Sequence, residues 1–574
     1  MKKIFLLALT VVGLITIVSC SDSDYTSKYA APHLTQTVGV PQVFTGVLQA
    51  GNTWMNPVYY RYYTQSTTSG TFSGVIGNTN GKGRFRGASE GYFNSRWQNF
   101  YNMLTQYRVL EDTYNNLSLA DKEDNKLFLL LGRSVMQSQL HEMLSLWGDV
   151  PYSGACTLWK SGDYDEAKRE VVYDDDVKIY EQILTDLKEV GDFLSSYTIS
   201  NNTKTFLNSQ DFTAAAGDVD IWRRWVNSLR LRIALHLATN GDLAATAKAA
   251  IGEILGNTAK YPLIETNAQN QGVNGDTQTD NFNYGKSIAQ ALAGRGEGSG
   301  SQAMLDAMNV PANGIPDENT DPRLAAIYDC NPDGEYIAYD NSKTETQISD
   351  LGSAKTKEYL DRSGNKLIAN YYCYIDSIAF AGYATYQGNA NLNGIWIGAA
   401  EVELSIAEAY LMGYGVAANA NTAKEHFVKG VVLSEEYYWN FKTTSSLYQA
   451  GNDSYKGYRE LVVPTAADFE AYANHIWDAS QRVVCTQLWL NFGYMNELEA
   501  WNVTRRTGFP TVKFARDTQN QQYPTPPHRL PYPSDEINFN QANYQAARAI
   551  NYGNDNTGYY TKLFWAKENY YALY

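Results

Sequence analysis

The sequence predicts a mostly α-helical fold, in which a frame of packed helices carries long irregular loops rich in aromatic residues. Three observations support this prediction. Several segments place apolar residues three and four positions apart, which is the spacing of one helix face. One segment has the length and pattern of a repeated helix pair. The stretches between these segments are rich in Gly, Asn, Asp and Thr, which is typical of loops.

The first nineteen residues are a targeting segment and do not belong to the fold. Lys2 and Lys3 precede an apolar run of about 15 residues, which is shorter than the roughly 20 that a membrane-spanning helix needs. The run ends at Ser19 and Cys20, the pattern of a lipoprotein cleavage site, so we expect lipid on Cys20. Two or more acyl chains would anchor the protein stably in a membrane. An ordinary secretory signal with a chance cysteine is the disfavoured alternative, because Cys20 directly ends the apolar run.

Four segments predict the helical frame: 121–147, 174–197, 221–237 and 404–437. Gly148 and Pro151 end the first, and three aspartates open the second, where the helix dipole favours negative charge. The fourth contains two helices with small alanines between them, and Tyr410 and Phe427 fill the groove. This pattern predicts a tetratricopeptide-type unit, which cannot bury its own face and therefore needs further helices stacked on it.

Four long polar stretches lie between the helical segments: 51–91, 267–300, 311–388 and 517–559. Loops of this length are usually either functional or disordered. The aromatic residues scattered through them argue against disorder. We therefore expect a helical frame with large inserted loops.

Composition excludes some partners and favours a binding role. The chain has 46 Lys and Arg against 61 Asp and Glu, a net charge of −15, and no basic patch, so nucleic acid is a poor partner. The 44 tyrosines and 12 tryptophans outnumber the 20 phenylalanines. Because a buried tyrosine hydroxyl needs a hydrogen-bond partner, this excess favours wettable recognition surfaces over a purely structural use.

The cysteine pattern predicts no metal site and no cofactor. Four cysteines follow Cys20, at wide spacing and without a CxxC motif: Cys156, Cys330, Cys373 and Cys485. Two disulfides are possible outside the cytoplasm, but four buried free thiols is the simpler interpretation for a chain of this size. Only six histidines are present and none pairs with a cysteine at ligand spacing, which argues against zinc.

Seven short motifs occur in order along the chain: LWGDVPY at 146–152, a helix with IY and DL pairs at 174–187, WVNSLRLR at 225–232, DPRL at 321–324, an alanine- and glutamate-rich helix at 399–409, a Trp and RRTGFP segment at 487–510, and RLPYPSDE with a following Asn at 529–543. Together with Cys20, this order resembles the SusD-like (RagB/SusD) family of outer-membrane nutrient-binding lipoproteins. The aromatic stretch at 562–566 matches that family only loosely.

The resemblance implies one mostly helical domain over residues 20–574, in which 20–45 form an N-terminal tether. It also implies that the protein forms a lid on a SusC-like, TonB-dependent outer-membrane transporter, with ligands that are mostly glycans and sometimes peptides. The acidic residues 21–24 resemble the family's signal for export to the cell surface, although a solvated tether predicts the same residues. We interpret six polar residues within these motifs as parts of the frame, in buried salt bridges and caps: Asn227, Arg230, Asp321, Arg323, Glu401 and Glu408.

Two aromatic clusters are the candidate ligand site, because a glycan needs flat rings for its sugar faces and amides or carboxylates for its hydroxyls. The first cluster is Trp54, Tyr59, Tyr60, Tyr62 and Tyr63, in a predicted loop with Asn52, Asn56 and Gln65. The second cluster is Tyr371, Tyr372, Tyr374, Tyr383 and Tyr386. The alternative for most of these rings is that they attach long loops to the frame.

No catalytic residue is predicted, so the chain is interpreted as a binding protein and not as an enzyme. Residues 87–91 match a nucleophile elbow by letter, but a loop sequence precedes them where the motif needs a strand. The glycine run 294–300 lacks the P-loop Lys and Ser or Thr, and His141-Glu142 lacks the second histidine of a zinc protease. Three functions stay open in decreasing order of support, namely a glycan-capturing lid, a peptide-capturing lid and a surface glycosidase.

Overall fold

The structure of the chain is a computed structural model. It describes residues 38–55, 59–77, 83–87, 90–162, 171–273, 300–349, 356–360, 366–380, 393–445 and 461–574, together with residues 165, 291, 389 and 448. The predicted signal segment, Cys20 and the acidic residues 21–24 lie outside the described residues. The described chain is mostly helical, which confirms the predicted fold class.

The helices of the first half contain three of the predicted segments. They are α1 Val40–Met55, α2 Tyr59–Gln65, a π-helical turn Ser66–Gly70, α3 Thr71–Ser73, α4 Glu90–Asn115, α5 Leu119–Trp147, α6 Leu158–Ser161, α7 Asp176–Ser196, α8 Asn201–Gln210, α9 Val219–Ala238 and α10 Ala244–Gly256. The Ser118 side chain caps α5 by accepting from the N–H of Asp121, and Gly148 ends it at φ 74°. Asp175 and Asp218 cap α7 and α9 in the same way. The predictions for 121–147, 174–197 and 221–237 are confirmed.

The helices of the second half contain the predicted helix pair. They are α11 Gln302–Ala307, α12 Leu324–Ile327, α13 Glu345–Ser349, α14 Ala399–Met412, α15 Ala420–Thr443, α16 Ala466–Ile476, α17 Gln481–Phe492, α18 Glu497–Thr507, α19 Asp535–Phe539 and α20 Gln541–Asn551. A Cβ atom on Gly430 of α15 would lie 2.7 Å from Cγ of Leu404 on α14, so only glycine permits this close approach. Helix α17 packs on α14 and α16 packs on α15, as expected for a pair that cannot bury its own face.

Within the described residues the strands form five two-stranded pairs. They are β1 Val150–Pro151 with β2 Tyr173–Asp174, β3 Gln271–Val273 with β8 Gly394–Ile397, β4 Tyr328–Asp329 with β7 Tyr374–Ile375, β5 Thr356–Leu360 with β6 Lys366–Asn370, and β9 Lys513–Phe514 with β10 Ala572–Leu573. In the antiparallel β4–β7 pair, Asp329 lies opposite Tyr374. Strand β4 and the β3–β8 pair each form part of the wall of a cavity.

The prediction of a loop over 51–91 is wrong for most of the described part of that stretch. Residues 51–55 end α1, and 59–73 form α2, the π-helical turn and α3. The many Ser and Thr residues suggested a loop, but their hydroxyls bond to the backbone of their own helices; Thr67 Oγ1, for example, donates to the carbonyl of Tyr63 at 2.8 Å. These local bonds let polar side chains enter the core, where Thr68 and Phe72 are buried. The stretch 517–559 likewise contains α19 and α20.

All four cysteines among the described residues are free thiols. Cys373 and Cys485 are buried, whereas Cys156 and Cys330 are half-buried. The interpretation as free thiols is confirmed, and the two-disulfide alternative is wrong. None of the described helices is long and apolar enough to cross a membrane.

Candidate functional site

The first predicted aromatic cluster lies inside the helical frame. Three of its rings are at most 4% exposed: Trp54, Tyr62 and Tyr63. Trp54 Nε1 donates to the Glu142 carboxylate at 3.1 Å, and the guanidinium of Arg96 lies 5.0 Å from the ring centroid. Rings in these positions offer no face to a ligand, so they do not enter the candidate site. The side chains of Tyr59 and Tyr60, and all of Asn56, lie outside the described residues.

The first cluster is buried because Arg61, which lies between its tyrosines in the sequence, forms an ion pair inside the helical frame. Arg61 of α2 lies 3.6 Å from the Glu142 carboxylate, and Arg96 of α4 lies 3.3 Å from it. Arg61 also donates to the backbone carbonyls of Trp54 and Met55. This ion cluster attaches α2 to α4 and α5 and turns the neighbouring rings inward.

The second predicted cluster is partly exposed. Three of its tyrosines are half-buried: Tyr371, Tyr372 and Tyr374. Tyr372 stacks on Tyr339 with ring centroids 4.1 Å apart and an interplanar angle of 25°, and Tyr371 meets Tyr372 edge to face at 5.4 Å. We call Tyr371 and Tyr372, with Tyr339 beneath them, the tyrosine surface. Tyr383 and Tyr386 lie outside the described residues.

The tyrosine surface lies where distant parts of the chain meet. The guanidinium of Arg84 donates to the carbonyls of Asn341 and Lys343 at 3.0 and 2.9 Å. Tyr339 donates its backbone N–H to Gly300 at 3.0 Å. The segment 83–87 is thereby fixed to the middle of the chain, close in sequence to the stacked rings.

Strand β4 lines a cavity of about 690 Å³, which we call the ribbon cavity. Its aromatic lining residues are Tyr328, Tyr336 and Trp439, and its acidic lining residues are Asp317, Asp321, Asp329, Asp376 and Asp468. Trp439 reaches the cavity from α15, and its Nε1 donates to the carbonyl of Pro322 at 2.9 Å. A cavity of this size suits a small ligand, since such sites usually measure about 300–1,000 Å³.

Two buried ion pairs fix the walls of the ribbon cavity. Lys442 Nζ lies 2.5 Å from the Asp376 carboxylate, and the two side chains are 4% and 1% exposed. Burial raises the pKa of Asp376, while the charge of Lys442 opposes that rise. Arg323 and Asp321, both fully buried, lie 2.6 Å apart.

The other acidic side chains leave the ribbon cavity with a negative lining. Asp317 accepts from the N–H of Asn319 and from Thr320 Oγ1. Asp468 accepts from the N–H of Thr465 in the capping box at the start of α16. This hydrogen bond holds the pKa of the Asp468 carboxyl below its usual range. Lys442 is the only basic side chain among the described lining residues. The cavity therefore combines aromatic rings with hydrogen-bond acceptors.

The polar motif residues belong to the frame, as predicted. Arg232 pairs with Glu401 and Arg506 pairs with Glu408, both at 2.5 Å. Asn227 Nδ2 donates to the carbonyl of Pro262 at 3.0 Å. These groups hold α9, α14 and α18 together and leave ligand contact to other residues.

The histidine of the His141-Glu142 sequence belongs to the helical core. His141 lies in the core between Tyr180 Oη at 3.1 Å and the Glu499 carboxylate at 3.2 Å. Ala88 and Ser89 of the elbow-like sequence lie outside the described residues. In the part of the chain that the structure describes, no group of three His, Cys, Asp or Glu side chains could hold a metal ion.

A family model matches most of the chain. The SusD-like_2 model, described as "Starch-binding associating with outer membrane", covers residues 47–533. The chain therefore belongs to the SusD-like family, an outer-membrane-associated family, which confirms the resemblance seen in the motifs. No curated protein matches the sequence.

Solved structures show the same fold at low sequence identity. A chitin-binding protein is 19% identical, with a TM-score of 0.65, over 92% of this chain and 99% of its own. A SusD-like protein from Bacteroides thetaiotaomicron is 18% identical, with a TM-score of 0.61 over the same shares. A chitin-binding SusD homologue from Flavobacterium johnsoniae is 17% identical, with a TM-score of 0.59, over 91% and 98%. At these identities the likeness establishes the fold alone.

Several residues of the candidate site could not be found from the sequence. Tyr336 and Tyr339 lie in a long polar stretch without a cluster signal, and Tyr328 follows a short helix. Trp439 belongs to a visible run of three aromatics, but it lies just beyond the predicted helix pair 404–437 and was not singled out. The residues that line the ribbon cavity come from separate segments between 316 and 468, so only their tertiary arrangement makes them a site.

Proposed function

We propose that this protein is a cell-surface lipoprotein, anchored in the outer membrane through Cys20, that captures a glycan for nutrient uptake. It delivers the glycan to a SusC-like, TonB-dependent transporter and catalyses no reaction. The family's description as starch-binding and associated with the outer membrane supports this proposal. The single observation that carries it is the tyrosine surface, whose half-buried rings lie beside the acidic ribbon cavity.

The chemistry of this region suits a sugar. An aromatic ring packs against the apolar face of a pyranose, and one such contact contributes about 0.5–1.5 kcal/mol beyond buried area. The carboxylates of Asp317 and Asp468 accept hydrogen bonds, which sugar hydroxyls can donate. After the cost of association, two or three ring contacts give a Kd on the order of micromolar to millimolar. Such an affinity suits a protein that must release its ligand to a transporter.

A peptide is the second candidate ligand, because the negative lining of the ribbon cavity also suits a positively charged amino terminus. A peptide ligand would keep the family and the transporter but change the nutrient. It predicts binding to a mixed peptide pool that polysaccharides do not compete with.

The direct test uses the chain from Ser21 to Tyr574, which keeps every described residue. We would titrate it with a panel of polysaccharides, chitin oligosaccharides first because similar structures are chitin-binding proteins, and with a mixed peptide pool. Reducing ends are measured in the same tubes. The proposal predicts saturable binding to one glycan class without new reducing ends. Reducing-end release would contradict a pure binding role, and binding to peptides alone would overturn the glycan assignment.

A variant pair tests the tyrosine surface. Tyr371→Ala with Tyr372→Ala removes two ring contacts and should weaken glycan binding about five- to 150-fold, since each contact contributes about 0.5–1.5 kcal/mol. Tyr114→Ala on α4 is the matched control, because this half-buried tyrosine lines neither the ribbon cavity nor the tyrosine surface. Unchanged affinity in the double variant would remove the tyrosine surface from the site.

Separately, Cys20→Ala should move the protein out of the membrane fraction of its cells.

A further inference from the structure

A second cavity lies on another side of α15. It measures about 580 Å³, and we call it the amide cavity. Its polar lining residues are Asn267, Asn270, Asn393, Glu436, Tyr437 and Asn440. Because an α-helix turns about 100° per residue, the face of Glu436 and Asn440 points roughly 110° away from the face of Trp439 and Lys442. One helix therefore separates the amide cavity from the ribbon cavity.

The inner wall of the amide cavity consists of fixed side-chain amides. Asn270 Oδ1 accepts from the N–H of Ala399 at 2.8 Å and so holds the start of α14. Asn270 Nδ2 donates to Asn267 Oδ1 at 3.3 Å, and Asn267 Nδ2 donates to the carbonyl of Leu433 at 3.0 Å. Each amide has two N–H donors and two acceptor lone pairs, so these bonds leave capacity for a ligand. The frame thus orients the amides before any ligand arrives.

The outer wall comes from one face of α15. Glu436 and Asn440 lie four residues apart and are exposed, and the half-buried Tyr437 lies between them. The wall therefore offers a carboxylate acceptor, an amide and an aromatic ring. These are the groups that bind vicinal hydroxyls and the apolar face of a pyranose.

The floor of the amide cavity is backbone. Gly272 of β3 and Gly394 of β8 both line it. A Cβ atom on Gly272 would lie 2.0 Å from the carbonyl oxygen of Gly394, so a side chain is excluded at this point. The register shift between Gln271 and Gly272 is a bulge, a feature that is frequent beside functional sites. The result is a flat floor between polar walls.

The charge of the amide cavity selects against anionic sugars. Among its described lining residues Glu436 is the only ionisable carboxyl, and none is Lys, Arg or His. A uronate or sulfate group would meet the Glu436 charge without a compensating cation. A neutral sugar meets only hydrogen-bonding groups.

We propose that the amide cavity is a second glycan site, which takes a neutral pyranose unit or short neutral oligosaccharide. It acts independently of the ribbon cavity and the tyrosine surface. The volume is within the range of small-ligand sites, about 300–1,000 Å³. The proposal rests on the proposed function for the class of ligand, but the location and the preference for neutral sugars come from this cavity alone.

Two sites on one chain change how a long polymer binds. Once one site holds a polysaccharide, the second binds another part of the same strand at an effective concentration on the order of millimolar, provided that the strand spans both. Short oligosaccharides lack this advantage and bind the two sites separately. A two-site lipoprotein would therefore retain polymer and release fragments.

The test separates the two sites by paired variants of the chain from Ser21 to Tyr574. Saturation-transfer NMR is recorded with a panel of neutral trisaccharides, namely chitotriose, maltotriose and cellotriose. The first variant combines Tyr371→Ala and Tyr372→Ala with Asp317→Ala and Asp468→Ala, so that it loses both the tyrosine surface and the exposed acceptors of the ribbon cavity. In this variant at least one trisaccharide should keep a saturable signal. Adding Glu436→Ala with Asn440→Ala should weaken that residual binding at least fivefold. These alanines sit at exposed helix positions, so the fold should tolerate them.

One control variant and three contrary results complete this test. Glu425→Ala, an exposed change on the same helix away from the cavity, should leave binding unchanged. Residual binding that survives the Glu436 and Asn440 changes would overturn the amide cavity as a site. So would the absence of residual binding in the variant that lacks the tyrosine surface and the ribbon-cavity acceptors, while leaving the proposed function intact. No signal with any glycan in the unchanged chain would contradict both proposals.

Discussion

The two cavities beside α15 differ in how their walls are stabilised. The ribbon cavity depends on buried charges, since Lys442 and Asp376 pair at 2.5 Å with almost no exposed surface. The amide cavity depends on neutral amides that hydrogen-bond to the backbone, and its charged residue, Glu436, is exposed. One helix can thus carry two different surfaces, because successive residues point about 100° apart around its axis.

This difference has consequences for tolerance to change. Removing one partner of a buried ion pair leaves an uncompensated charge, whereas removing an exposed group costs little. The ribbon cavity is therefore expected to be the rigid and sensitive site. Substitutions at the mouth of the amide cavity are expected to leave stability nearly unchanged and to alter mainly which ligand binds.

The largest expected effect is on stability. Lys442→Met leaves the Asp376 charge buried without a partner, so the free energy of unfolding should fall by about 3–5 kcal/mol. Glu436→Gln should change it by less than about 0.5 kcal/mol, as for most surface changes. Urea unfolding of both variants measures this contrast. Equal losses would contradict the difference between the two walls.

The next effect concerns polymer binding. If both sites engage one strand, the loss of either should weaken polysaccharide binding about tenfold or more, since the gain from linked sites is about 10²–10⁴. The affinity for a trisaccharide at the unchanged site should stay the same. Affinity electrophoresis in gels with and without polysaccharide compares the two variant pairs. Equal weakening of polymer and trisaccharide binding would argue against bivalent capture.

The pH dependence of the Lys442→Met variant should follow Asp376. Burial already raises the pKa of this carboxyl, and loss of the lysine charge should raise it further. Because the folded protein then holds the proton more tightly than the unfolded chain, the penalty is absent at pH below the unfolded value and grows as pH rises. In the unchanged protein burial already raises the pKa of Asp376 to about 6, so the stability deficit relative to it should increase mainly above pH 6, by at most about 1.4 kcal/mol per pH unit. A deficit that is constant over this range would contradict the assignment to Asp376.

A smaller effect tests the charge of the amide cavity. Glu436→Lys replaces an exposed carboxylate by a cation, and one charge contact at an exposed position contributes about 1 kcal/mol. Binding of a uronate-containing oligosaccharide should therefore rise about fivefold relative to a neutral one. Glu425→Lys carries the same change in net charge on the same helix and is the control. An equal rise in both variants would show a long-range effect and not a local one.

The helical frame was predictable from local signals, and its caps and breaks were too. Helix α5 begins next to Ser118 and ends at Gly148 because side-chain capping and positive φ are decided within a few residues. The motif residues were correctly placed in the frame, as the buried pair of Arg506 and Glu408 shows. The loop prediction failed at residues 66–73, where a turn-like Ser and Thr content belongs to a buried π-helical turn and to α3.

The candidate site was only partly predictable, because exposure is a tertiary property. Trp54 looked suitable for a sugar, yet Glu142, 88 residues further along, draws it into the core. Tyr372 remains a candidate because its stacking partner, Tyr339, covers one face and the side chain stays half-exposed. The amides at Asn267 and Asn440 gave no signal, since nothing local indicates that residues so far apart in sequence share a cavity.

The most direct test of the account is a crystal structure of the chain from Ser21 to Tyr574 soaked with the neutral trisaccharide that binds best. The account predicts sugar density in the amide cavity, between Asn270 and Glu436, and separate density in the ribbon cavity or on the tyrosine surface. Density that lies only elsewhere on the protein, with both cavities empty at saturating sugar, would contradict it.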